Sequence, residues 1–393
     1  MRYEAIVVGG GIVGLSTAWG LAKRGLGPVA VLERGPVAAG ATLRSAGVVT
    51  AQLWTPEDIQ LALRTQKVLA ELEAASGGLF RIERDGSLTM VGPGQEAHLH
   101  RQAGMIRAAG GEVELWEPER VAGEYPAILT EGITLALYTP RDGTLRPAEA
   151  LAALGAAARA AGVHTFESTP VEHVAIEGGR VRGVYVAGEV LEAPRVILAA
   201  GIWTRQIARN SGFDLPLKAF RTQVSAVVAP EPIDLPEMTD AARGIYCFSR
   251  RPRTVFFGYG TEIEGIDPDA YRQERDEAEE EAALARLAER IPILRRARPA
   301  GGWAGVCDIS ADVLPLIGAQ GEIDGLYLNC GFAGYGISRG PGAGDALAAV
   351  IAGEEPGLDL GPYRADRHKG FEDFEIHFGG PWQVSVRSDQ VGA

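Results

Sequence analysis

Along this chain the apolar residues change period several times, and each change predicts an element. From Ala5 to Val8 the sequence is continuously apolar, as in a central parallel strand covered on both faces. Helical spacing then runs from about Val13 to Arg24, and a second apolar run, PVAVLERG, predicts a strand ending at Glu33. An alanine-rich stretch predicts a helix from about Pro147 to Ala161, closed by Gly162. Beyond it, STPVEHVAIEGGRVRGVYVAGEVLEAPRVILAAGIWT breaks at Gly-Gly and Ala-Gly pairs into short strands, a β-meander whose last strand, RVILAAG, ends in a glycine turn. Alternation in GSLTMVG, GITLALYTP, TQVSAVVAP, GIYCFSR and TVFFGYGTE predicts a mostly antiparallel sheet, with a helix near His98 to Ala109. The charged run DPDAYRQERDEAEEEAALARLAERIPIL, with Leu and Ala at helical intervals, predicts one solvated amphipathic helix.

Between the first strand and helix, Gly9, Gly11 and Gly14 hold the G-x-G-x-x-G spacing. Missing Cβ atoms there permit a tight turn, close approach of a pyrophosphate and close packing of helix on strand. Ile12 and Val13 open the helix, whose N-terminus offers unpaired N–H groups and a positive dipole end. Glu33 follows Gly14 by nineteen residues and ends the second strand, where a carboxylate accepts hydrogen bonds from a ribose diol. A dinucleotide is the ligand this pattern predicts. The compact loop GPVAAGATLRSAGVVTAQ reads as a segment lying along a long cofactor. Near the C-terminus, GLYLNCGFAGYGISRGPGAGDALAAVIAGE repeats strand, glycine-rich turn and helix, so a second helix N-terminus is available to electron-rich ligand atoms. Nicotinamide domains do not need that element, and flavin domains do.

Composition narrows the partners. With 393 residues the chain is long enough for two domains, and its formal net charge of −13 without basic runs excludes a nucleic-acid surface. No charged leader precedes the first apolar run and no span long enough to cross a bilayer occurs, so a cytoplasmic protein is expected, at a membrane only through a partner. Cys247, Cys307 and Cys330 form no C-x-x-C pair, as suits a reducing compartment. His98 and His100 share one helix with no third ligand nearby, so no metal site is expected.

The blocks VVGGGIVGLSTAWGLAKRG with Glu33, GATLRSAGVV, VILAAGIWT, GGWAGVCDISADVLPLIG and NCGFAGYGISRGPGAGDALA resemble, in order and spacing, the FAD-dependent D-amino-acid oxidase superfamily. That superfamily includes glycine oxidase, sarcosine oxidase and the β subunits of sarcosine oxidases and dye-linked proline dehydrogenases, the branch to which WAGVCDISAD is most similar. The resemblance implies an α/β chain, α+β overall. A Rossmann-like FAD-binding domain with the inserted meander spans 1–80, 146–220 and 298–370. A substrate domain built on a mostly antiparallel sheet spans 81–145 and 221–297, and a tail, 371–393, docks on the body or on a neighbour. It also implies that Gly9, Gly11, Ile12, Val13 and Gly14 cradle the pyrophosphate, that Glu33 holds the ribose and that Arg34 flanks the adenine. Thr42, Arg44, Ser45, Gly47 and Val48 match the loop along phosphates and flavin, Val171 a strand residue at the adenine, and Ala200, Gly201 and Trp203 the turn after the late strand. Gly331, Gly334, Tyr335, Gly336 and Ile337 match the turn facing flavin N1 and C2=O.

Oxidising an amine to an imine at a flavin needs hydride transfer from Cα to N5, an uncharged amine and an anchor for the carboxylate. Arg221, Tyr246, Arg250 and Tyr259 are the candidates for that anchor, Tyr246 the best match to a family active-site tyrosine, with Tyr335 beside the flavin. A hydroxy acid would need a base, commonly histidine. The six histidines, at 98, 100, 164, 173, 368 and 377, avoid both the second substrate stretch and the late flavin turn. Two departures from the family stand out. Cys307 replaces the carboxylate-anchoring arginine of glycine-oxidase-like members. Ser338 replaces the lysine of monomeric sarcosine oxidases, which favours a dehydrogenase passing electrons to a dye, a quinone or a partner subunit. The spacing of Cys307 to Asp312 does not match relatives with covalently attached flavin, so FAD is expected to be non-covalent. The first reading is therefore an FAD-dependent oxidoreductase acting on a secondary or N-methylated amino acid such as proline or sarcosine, or on a D-amino acid. The alternatives are a flavin-carrying β-type subunit of a homo- or hetero-oligomeric complex and an FAD-dependent hydroxy-acid dehydrogenase.

Overall fold

The computed structural model describes residues 2–37, 39–258 and 266–368, and the backbone of Ile376–Phe378 and Val384–Val386. Apart from that two-stranded pairing, the tail lies outside the described residues.

Two sheets organise the chain. The first runs, in spatial order, Leu316–Ala319, Leu326–Cys330, Val196–Leu198, Ala5–Val8, Val29–Leu32 and Val163–Phe166. All its neighbours are parallel except the edge strand Leu316–Ala319. Every residue of Ala5–Val8 and Val29–Leu32 is buried, because helices cover one face and the three-stranded meander with Ile207 and Ala208 covers the other, and this is why the first strands read as unbroken apolar runs. The strand Val196–Leu198, expected as the last of the meander, instead joins this sheet between Ala5–Val8 and Leu326–Cys330. The meander keeps three antiparallel strands, His173–Glu177, Arg180–Val186 and Glu189–Glu192.

Helix Ile12–Lys23 packs on helix Gly336–Ile351, and small residues set how closely. A Cβ on Gly344 would lie 2.8 Å from Thr17 N, and one on Gly342 would lie 2.3 Å from Leu61 O of helix Pro56–Ala75. Three helices therefore meet at backbone distance. The glycines of SRGPGAGDA belong inside this helix, and the turn itself is only the stretch 331–335. Helix Pro56–Ala75 begins with Thr55 accepting a hydrogen bond from Asp58 N (3.1 Å) and with proline at the first helical position.

The second sheet has eight strands, in the order Arg298–Ser310, Leu217–Val228, Thr254–Gly258, Ile245–Arg250, Glu237–Asp240, Ser87–Val91, Leu135–Thr139 and Glu114–Trp116. All neighbours are antiparallel except Glu237–Asp240 with Ser87–Val91. Its strand Leu217–Val228 crosses the boundary expected at 220/221, and Arg298–Ser310 lies wholly in the stretch expected in the FAD-binding domain. One face buries Leu88, Met90, Val227, Met238, Cys247 and Phe257 against helix Glu277–Arg290, which contributes Ala283 and Leu287. That helix begins ten residues after the start of the charged run. Asp276 caps it, accepting from Ala278 N and Glu279 N, and the preceding segment is an irregular strap. The other face of the sheet looks towards the first sheet, and between them lies the cavity.

Candidate active site

A single continuous cavity of about 1800 Å³ runs from Glu33 and Arg34, along the glycine turn, to the exposed face of the eight-stranded sheet. Ligand pockets for compact small molecules are commonly 300–1,000 Å³. This one has length for a dinucleotide and a second molecule.

At the first turn Gly9 has φ 111°, and a Cβ on it would lie 2.4 Å from Ala199 O, so the two glycine turns pass at backbone distance. Glu33 Oε2 accepts from Gly10 N (2.8 Å) and Oε1 from Gly35 N (3.0 Å), which orients the carboxylate at the strand end while leaving lone pairs for a diol. Arg34 stacks 4.1 Å over the Trp203 ring and pairs with Asp269 (2.7 Å), which also accepts from Trp203 Nε1 (2.9 Å). Asp269, on the strap, is a site residue the sequence reading missed. Thr42 Oγ1 accepts from Ile12 N (3.2 Å), and the Arg44 guanidinium donates to Ala39 O, Gly40 O and Gln273 Oε1. All the positions matched to the cofactor line the cavity except Gly14, Gly47 and Gly331, which shape its wall from behind. Val171 lines it from the irregular segment before His173–Glu177.

Helices Ile12–Lys23 and Gly336–Ile351, which start at the two glycine turns on the cavity, have no side-chain cap and no acidic residue in the first turn. Those N-termini are ready for anionic groups. The turn before Gly336 is held from beneath. Gly331 N donates to the buried Asp308 carboxylate (2.5 Å). Arg339, fully buried, bridges both carboxylate oxygens of Asp58 (2.9 Å each) and donates to Phe332 O (2.5 Å), and Tyr363 OH donates to Asp58 (3.1 Å). Two uncapped helix starts, a carboxylate at the strand end and glycines that admit close backbone approach fit FAD laid along this cavity.

The other arm is lined by the sheet. In strand Leu217–Val228 the residues Phe220, Thr222 and Val224 face the cavity, so Arg221, one position out of phase, faces away. Its guanidinium donates to Arg272 O (2.9 Å) and Glu274 O (2.6 Å), fastening the strap. Arg250 lies at the far end of its strand and donates to Leu145 O (2.9 Å), also outside the cavity. Neither is brought to the site. Tyr259 lies outside the described residues. Tyr246 and Tyr335 both line the arm; Gly258, registered opposite Tyr246, leaves room for its ring, and Tyr335 meets Trp54 edge-on at 4.8 Å. Burial raises the phenol pKa of each, so both stay protonated.

Residues the sequence reading passed over complete the arm. Gln52 Nε2 donates to Ser87 O (2.8 Å) and Thr139 Oγ1 (2.7 Å), and its Oε1 accepts from Thr89 (2.5 Å). Glu237 and Thr239 line it from their strand, while Arg243, Arg286, Arg101 and the exposed His98 stand on the lining around it. Cys307 also lines it, its thiol pushed up to about 12 by burial, far from a thiolate nucleophile. Ser338 donates to Val48 O (3.0 Å) and accepts from Thr50 N (3.3 Å), and no lysine among the described residues lines the cavity. No group of three His, Cys, Asp or Glu able to hold a metal occurs among the described residues, and no helix among them is long and apolar enough to cross a membrane.

Residues 4–350 match the family model for the DAO FAD-dependent oxidoreductases, and the chain belongs to that family. It is 26% identical over 378 residues to glycine oxidase of Geobacillus kaustophilus, covering 94% of this chain and 98% of that one. It is also 26% identical over 385 residues to human mitochondrial sarcosine dehydrogenase, covering 92% of this chain but only 41% of the longer relative. In fold it is similar to the L-proline dehydrogenase of P. horikoshii, with a TM-score of 0.86 at 24% identity over 94% of this chain and 98% of that one. The protein is thus an FAD-dependent oxidoreductase whose relatives act on CH–NH or CH–NH2 donors.

Proposed function

We propose that this chain oxidises an amino acid at Cα, with a secondary or N-methylated amino acid such as proline or sarcosine, or a D-amino acid, as substrate, and an imine as product. The observation that carries this reading is the substrate arm opening directly beside the uncapped N-terminus of helix Gly336–Ile351. FAD bound there supplies the hydride acceptor, and the helix terminus favours the negative charge that reduction brings. Gly9, Gly11, Thr42 and Arg44 take its phosphates, and Glu33, Arg34 and Trp203 its adenosine end. With Arg221 and Arg250 turned elsewhere, Tyr246 and Tyr335 are the candidates from the sequence that line the arm, and we assign the substrate carboxylate to their protonated hydroxyls. The ring walls of Trp54, Phe220 and Tyr335 exclude water from the reacting carbon.

A hydrogen bond to a charged group contributes about 1.5–3 kcal/mol. Tyr246→Phe therefore lowers kcat/KM about ten- to a hundredfold, while the bound flavin spectrum is unchanged. An effect below twofold on every substrate would remove Tyr246 from this role. The absence of a lysine beside the flavin, with Ser338 tied to backbone, supports transfer of electrons to a dye, a quinone or a partner subunit rather than to oxygen. Dye reduction by the purified holoprotein with proline, sarcosine, D-alanine and lactate tests the substrate class. Activity with an amine and none with lactate is expected; lactate alone as a substrate would replace this reading with the hydroxy-acid one.

A further inference from the structure

Glu237 lies on the sheet face that lines the substrate arm; the other acid of that sheet on the lining, Asp308, accepts from Gly331 N. Glu237 opens the strand Glu237–Asp240, where alternation sends Met238 into the core and Glu237 and Thr239 to the cavity. Only 8% of the residue is exposed, yet no lysine or arginine pairs with it among the described residues. Four titratable groups among the described residues interact with it and all are acidic: Asp142, Tyr246 and Cys247 on neighbouring strands and turns, and Tyr335 across the arm. The parallel neighbour Ser87–Val91 brings no charge. The two other buried acids of this region are satisfied by fixed partners. Asp240 pairs with Arg290 (2.7 Å) and Arg243 (3.2 Å), and Asp142 accepts from Thr50, Ala51, Thr139 and Gln66. Burial, opposed by the neighbouring Ser87 hydroxyl and reinforced by the charge of Asp142, pushes the Glu237 carboxyl up to about 7. A buried carboxylate without a counter-ion is costly, so the site favours an arriving cation.

We propose that Glu237 is the amine site of the substrate arm: its carboxylate receives the substrate ammonium and takes the proton that the ammonium gives up. This rests on the amine-oxidising reading above. In the proton step an N–H bond breaks, its electron pair stays on nitrogen, and an O–H bond forms on Glu237. The nitrogen lone pair then forms the C=N bond as the Cα–H pair leaves as hydride for FAD, which is reduced by two electrons. Amine and Cα are thereby held on one side of the arm, with the tyrosine hydroxyls at the carboxylate.

The test compares the holoprotein with Glu237→Gln, which keeps the volume and removes the charge, and with Glu237→Asp. Binding is read from the shift of the flavin absorption in the first phase after rapid mixing, before any reduction, with proline and with tetrahydro-2-furoate, in which oxygen replaces the ring nitrogen. Wild-type protein is expected to bind proline at least tenfold more tightly than tetrahydro-2-furoate, and Glu237→Gln to lose that preference while keeping its affinity for the oxygen analogue and its flavin content. Glu237→Asp recovers part of the preference. In turnover, kcat/KM of the wild type rises with pH through about 7 as the carboxylate forms. In Glu237→Gln that limb is replaced by one at the titration of the free substrate amine. Equal loss of both ligands in Glu237→Gln, an unchanged pH profile, or failure of the wild type to prefer the amine would each overturn the assignment. A wild type that prefers the amine but is reduced by none of the amino acids keeps the amine site and overturns the catalytic reading.

Discussion

Gly14→Ala yields a protein that no longer retains FAD through purification. Gly14 sits in the first turn of helix Ile12–Lys23, where a Cβ would stand 1.9 Å from Gly9 O, a distance no side-chain adjustment relieves. The helix must back away from the strand or the turn must open. Either movement withdraws the N–H groups and the close approach on which pyrophosphate binding depends. Forced overpacking of this kind costs about 3 kcal/mol, a hundredfold or more in affinity if it falls on binding. The ratio of flavin to protein absorbance measures it. Gly104→Ala is the control: its Cβ meets nothing within 4 Å inside helix Glu96–Ala108, so it leaves flavin content intact and stabilises the fold by about 0.5–1 kcal/mol. Normal FAD retention in Gly14→Ala would contradict the account of the turn.

Asp58→Asn is expected to be the most destabilising conservative change near the flavin. Asp58 and Arg339 are both completely buried, and Asp58 also takes the Tyr363 hydroxyl. Arg339 carries the restraint onward to Phe332 O, at the base of the turn before Gly336. Removing the negative charge leaves a guanidinium buried beside an amide, and breaking such a pair costs about 3–5 kcal/mol. For a chain of this size that lowers the thermal midpoint by about 4–6 °C, and because the turn faces the cavity, flavin loss should precede global unfolding. A midpoint within a degree or two of wild type would show that the pair is dispensable.

What the sequence disclosed and what it withheld divide along physical lines. The nucleotide half was legible because its constraints are local: Gly9, Gly11 and Gly14 act within one turn, and Glu33 is fixed at the end of a strand only a helix away. The second turn was legible for the same reason, although the glycines beyond it serve helix packing through Gly342 and Gly344. The substrate half depends on the phase of strands within a sheet, and a slip of one residue reverses the face. Arg221 was chosen as an anchor by chemistry alone, while its neighbours Phe220 and Thr222 hold the cavity positions. Glu237 went unnoticed because an acid at the start of LPEMTD reads as ordinary strand-end polarity; its burial comes from the sheet pairing and not from the local sequence. Asp269 belongs to a strap that the charge pattern assigned to a helix, whose true start is fixed by the Asp276 cap.

Substrate arm and flavin turn open into one another, and that continuity underlies the claim of amine oxidation. The most direct test is the visible spectrum of the purified holoprotein under anaerobic conditions, before and after addition of proline, sarcosine and D-alanine in turn. Bleaching of the flavin absorption by one of these amines is the result expected, and it names the substrate class. A flavin spectrum that lactate bleaches and no amine does, or a protein that holds no flavin at all, would contradict the account.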